Sequence, residues 1–164
     1  MGILDRIGDK SHSGGAVGAL VRIVLRFLQF ILAITVAGLY GVDLHGASKN
    51  NGGADGRWVF AEVVAVLSII TVIVYAMPFI KSYWGFAWDW MLFILWTALF
   101  GLFGSIYIPA KPKGPQKDGQ TRMKHAVWVD LINMLLWLVT AIYSTLIWFR
   151  GRKNRSTHTG RAKV

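Results

Sequence analysis

Residues 84–108 read WGFAWDWMLFILWTALFGLFGSIYI. A helix advances about 1.5 Å per residue, so an apolar run of this length outreaches the hydrocarbon layer of a bilayer, about 30 Å thick. The stretch therefore predicts a membrane-spanning helix. Trp84, Phe86, Trp88 and Trp90 crowd its first half, the composition of a headgroup-level aromatic belt. Its second half thins to Thr97, Gly101 and Ser105, four apart on one face. Helices in lipid associate through close backbone approach, so this stripe predicts a packing face. On that reading Gly101→Leu harms the bundle more than Leu102→Ala. Asp89 alone breaks the apolar run with a charge, and a carboxylate at that depth needs either water or a partner.

Working outward, only Lys81, Ser82 and Tyr83 separate this span from an earlier one over residues 58–80, with Pro78 near its end. The two are expected to form a tight antiparallel hairpin. The earlier span holds Glu62 near its start, where an acidic group suits the helix dipole, or else handles a proton or cation. A first span over residues 17–40 carries Arg22, Arg26 and Gln29 in its opening half, the arginines on one face. Three readings are open for them: snorkelling to anionic headgroups, pairing with Asp89, or binding a substrate. Ala33, Ala37 and Gly41 form a second small-residue stripe. A fourth span over residues 126–149 opens with Asp130 and Asn133, which share a face with Trp137 and are expected to hydrogen-bond a neighbouring helix.

Between the spans, residues 42–57 are rich in Gly, Asn and Asp and predict a solvated loop. Residues 109–125 carry three prolines and five basic residues and predict an extended polar one. The domain reading is a tail over 1–16, a four-span unit over 17–149 and a basic, low-apolar tail over 150–164 expected to lack fixed structure. Residues 1–16 intersperse acids and bases too evenly for a signal peptide. The fold class is an all-α integral membrane four-helix bundle.

Composition agrees: 54% of the 164 residues are hydrophobic, and eight are Trp. The formal charge of +10 sits in short segments beside apolar runs, a pattern for anionic lipid rather than nucleic acid. With no Cys there is no disulfide, thiolate metal site, cysteine nucleophile or palmitoylated thiol. Four spans put both termini on one side. Eleven basic residues fall on that side and seven on the other, which predicts cytoplasmic termini. Asp89 then shares a layer with Arg22 and Arg26, whereas Glu62 and Asp130 lie at the other side near Arg57, Lys124 and His125. No carboxylate falls at the midplane, which argues against a coupling-ion carrier.

At these residues the chain resembles the fungal members of the MARVEL-domain family. The resemblance is carried by RFLQF at 26–30 with GLYG at 38–41, WTALFGLFG at 96–104, and the Asp130 to Asn133 segment with Trp137. It covers about residues 17–149. It implies four spans, cytoplasmic termini and a non-enzymatic role in organising membrane microdomains, membrane apposition or vesicle trafficking, at the plasma membrane or in the secretory pathway. Expected partners are membrane lipids, with anionic headgroups at the basic tails, and other membrane proteins or further copies of the chain; no nucleic acid, cofactor, metal or catalytic residue is expected. The alternative is a small transporter or channel subunit using Glu62, Asp89 and Asp130. A haem protein or enzyme fits least, because no His lies within a span.

Overall fold

The computed structural model describes residues 15–49, 55–77, 85–111 and 117–156. They form four helices: α1 (Gly15–Lys49), α2 (Gly56–Ala76), α3 (Gly85–Tyr107) and α4 (Lys117–Ser156). Each contains a segment long and apolar enough to cross a membrane: Leu20–Gly46, Gly56–Ala76, Gly85–Tyr107 and Lys117–Phe149. The chain is an all-α, multi-pass membrane bundle, and no strand occurs among the described residues.

The helices pack as a ring. α3 lies most extensively on α4, α1 on α2 next, then α1 on α4, and α2 on α3 least. The hairpin expected to be tight is thus the thinnest backbone contact. The cause is side-chain bulk, because helix separation follows the residues at the contact. Two indoles stand between α2 and α3, with Trp96 Nε1 donating to Ser68 Oγ at 2.9 Å and Trp88 Nε1 to Thr71 Oγ1 at 2.9 Å. Trp84 and Pro78 lie outside the described residues.

The core runs along the bundle axis through Ala33, Val36 and Tyr40, Ala61, Val64 and Ala65, Leu92, Trp96, Leu99 and Phe103, and Val127 and Trp137. Large apolar side chains cover the outside as well: Phe27 is 62% exposed, Val63 57%, Ile94 62% and Leu146 51%. In water such a surface would drive aggregation, whereas lipid solvates it.

Two expectations are corrected here. The Thr97, Gly101 and Ser105 stripe is exposed. A Cβ added at Gly101 meets nothing within 4 Å, and the Thr97 and Ser105 hydroxyls donate to Phe93 and Leu102 carbonyls of their own helix. The larger side chains Leu92, Trp96, Leu99 and Phe103 take the inward face, since bulk fills the axis between four helices better than a small-residue groove does. The stripe on α1 is different: Ala33 is fully buried, Ala37 and Gly41 half-buried, and a Cβ on Gly41 would come 2.7 Å from Glu62 Oε1. The second correction is helix length. α1 continues through residues 41–49 and α4 starts at Lys117, so parts of both predicted loops are helical. Asp118 in the first turn of α4 suits the dipole, Met123 is buried, and an Asp43–Arg122 ion pair ties the two extensions together. α4 also runs to Ser156, into the tail expected to be irregular.

Candidate functional site

Arg26 sits three turns into α1, on the inward side of a helix whose other face meets lipid. It reaches across the bundle to α3, the diagonal helix, whose backbone α1 does not touch. Its Nη2 donates to both oxygens of Asp89 at 2.8 Å, and Nη1 donates to Gln29 Oε1 at 3.0 Å. The ring helices close around this pair. Ser144 of α4 donates to Asp89 Oδ2 at 3.0 Å, and Gln29 Nε2 donates to Thr140 Oγ1 at 3.2 Å. The guanidinium faces are covered by the Tyr75 ring of α2 at 4.5 Å and the Trp137 ring of α4 at 5.0 Å. Side chains from all four helices therefore converge on one ion pair, in which the Asp89 side chain is 1% and that of Arg26 19% exposed.

Arg22, one turn earlier, takes a different environment. Its Nε donates to Gly18 O at 3.4 Å, and its Cζ stands 5.7 Å from the Tyr143 ring centroid. α1 and α4 come close here, since a Cβ on Gly18 would lie 2.8 Å from the Tyr143 hydroxyl. Of the two arginines, Arg26 is the one bonded to Asp89.

Toward the opposite end, Tyr40 donates to Asp130 Oδ2 at 2.7 Å, both side chains fully buried. Asp130 thus finds a hydroxyl of α1 rather than the cations Arg57, Lys124 or His125; Arg57 instead meets Asp55 at 3.5 Å. Asn133 is fully buried, but among the described residues neither end of its amide has a hydrogen-bond partner, nor do Asp130 Oδ1 and Trp137 Nε1. The expected interhelical bond therefore exists for Asp130 and not for Asn133. Glu62 is half-buried against Gly41. No group of three or more His, Cys, Asp or Glu side chains with metal-holding geometry occurs among the described residues.

The sequence reading singled out Arg26, Gln29 and Asp89 but missed Tyr40, Tyr75, Thr140 and Ser144. Thr140 and Ser144 lie on the helical face of Trp137, three and seven residues on, so extending the Asp130, Asn133 and Trp137 stripe by two turns finds them. Tyr40 lies one turn from Val36 and two from Ala33, on the small-residue side of α1. Chemically, the network holds its charges in place. Both Asp89 oxygens and both terminal nitrogens of Arg26 are bonded to neighbours, a fixed arrangement suited to locking four helices in register. Comparison with models of known families, with curated proteins and with solved structures finds no match.

Proposed function

We propose that this chain is a non-enzymatic organiser of membranes, working in microdomains, membrane apposition or vesicle trafficking through contacts with lipid and with other membrane proteins or copies of itself. This is the role that its MARVEL-like texts imply. The observation that carries it is the closure of the Arg26–Asp89 network across the axis, which spends the strongest charges of the spans on holding the bundle and leaves an outer surface of large apolar side chains. The basic asymmetry supports cytoplasmic termini, with the tails against anionic leaflets of the plasma membrane or secretory pathway.

The test is reconstitution of the purified protein into vesicles, scored for two readouts together. The proposal expects the protein to cluster within vesicles or to bring vesicles into apposition, with proton and cation flux at the level of empty vesicles. Flux that Asp89→Asn, Asp130→Asn or Glu62→Gln abolishes would replace it with a transporter. Neither clustering nor apposition would also overturn it.

A further inference from the structure

At the end of the bundle where α1 begins and α4 ends, α1 and α2 flank a groove of about 520 Å³, a volume typical of small-molecule sites. Its walls are Ile23, Phe27 and Phe30 of α1 and Val72, Ile73 and Tyr75 of α2, with Arg22 and Arg26 among the lining residues and Ser144 of α4 behind. Helices α1 and α2 approach closely at Gly41 and Glu62, whereas at this end the aromatic side chains Phe27, Phe30 and Tyr75 line the space beside them.

Three features define an occupant. The groove opens outward, since Ile23, Phe27 and Ile73 are 56%, 62% and 46% exposed on the apolar surface. Among the described residues that line it are two guanidiniums and no carboxylate, Asp89 meeting Arg26 from behind. Arg22 lies two residues inside the Leu20 start of the apolar span, near enough to its end for a long cationic side chain to reach headgroup depth. A guanidinium presents a planar fork of donors matched to phosphate oxygens, and such charge-assisted bonds are the strong ones. Cations above an apolar cleft, at headgroup depth and open to hydrocarbon, have the chemistry of a phosphate with an acyl chain below it.

We propose that this groove is a binding site for one anionic phospholipid, its phosphate held at Arg22 with Arg26 beside it, and one acyl chain lying between Phe27, Phe30 and Ile73. Val72 and Ile73 supply chain contact, and Tyr75 closes the inner wall. The site deepens the membrane-organising reading, on which it rests, by giving the bundle a lipid preference located in its own fold rather than in its basic tails.

The experiment is native mass spectrometry of the full chain in non-ionic detergent with phosphatidylserine and phosphatidylcholine in competition. The wild type should retain one phosphatidylserine in preference to phosphatidylcholine. Arg22→Gln should weaken that retention about tenfold, the worth of a charge-assisted hydrogen bond. Ile73→Trp, which fills the groove and leaves both arginines in place, should lower retention of either lipid. The tail variant Arg152→Gln, Lys153→Gln, Arg155→Gln should retain phosphatidylserine as the wild type does. Equal retention by wild type, Arg22→Gln and Ile73→Trp, or a loss confined to the tail variant, would overturn the site. Because this readout needs no membrane, its failure leaves the clustering and flux results to decide the functional reading separately.

Discussion

Arg26 is a cation placed where cations are expensive, and its neighbours explain how it is tolerated. A buried ion pair contributes little net stability over an apolar substitute, but removing one member strands the other, which costs about 3–5 kcal/mol in soluble proteins. Asp89 is 1% exposed, so truncation leaves Arg26 stranded among Tyr75, Trp137 and Gln29. Asp89→Ala should therefore lower thermal stability in detergent more than Asp89→Ala combined with Arg26→Ala, with a coupling of about 2 kcal/mol in a double-mutant cycle. Arg22→Ala, whose side chain faces Gly18 and Tyr143, should be additive with Asp89→Ala. Additivity for both arginines would remove the pair from the account. At the other polar residue pair, Tyr40→Phe keeps the ring packed 4.6 Å from Phe103 and deletes only the donor to Asp130. It should cost about 1–3 kcal/mol, because a buried carboxylate then loses its hydrogen bond; an unchanged melt would show the bond to be dispensable.

Among the elements, α3 shows how helical spacing and side-chain size compete. The stripe of Thr97, Gly101 and Ser105 has the spacing of a packing face, yet Trp96, Leu99 and Phe103 occupy the axis, which four helices leave wide enough for rings. Gly101→Leu should accordingly be neutral or raise stability by up to about 1 kcal/mol through helix propensity, while Leu99→Ala should cost about 2–5 kcal/mol as a core truncation. Melting curves of the two variants decide, and a Gly101→Leu loss matching that of Leu99→Ala would restore the stripe to an interface. The spans themselves were legible because lipid selects length and apolarity, properties that a single chain displays directly. Asp89 was legible as needing a partner because its depth made an unpaired charge costly. The helical extensions at residues 41–49 and 117–125 were not, because outside the hydrocarbon Gly, Asn and Lys signal a loop, and the Asp43–Arg122 pair that joins the extensions is 79 residues apart in sequence. The roles of Tyr75 and Ser144 were hidden for a related reason: one hydroxyl in an apolar helix shows no facing direction until the neighbouring helix is placed.

For the whole molecule, the diagonal pairing of α1 with α3 is the organising fact, since Arg26 with Asp89 and Tyr40 with Phe103 join helices whose backbones do not touch. Such a bundle is built from the middle outward: polar and aromatic groups meet on the axis, and an apolar coat faces lipid. The arrangement requires α1 and α3 to run in parallel through the membrane, which needs α2 to cross back between them, and with α4 as the fourth crossing both termini are expected on one side. The chain has no Cys, so single cysteines report cleanly on that claim. The most direct measurement is labelling of intact cells with a membrane-impermeant maleimide, using Ser11→Cys, Asn51→Cys, Ser82→Cys, Gly114→Cys and Thr159→Cys one at a time. The account predicts labelling of positions 51 and 114 in intact cells, and of 11, 82 and 159 only after permeabilisation. Labelling that separates position 11 from position 159, or that places 82 with 51, would contradict it.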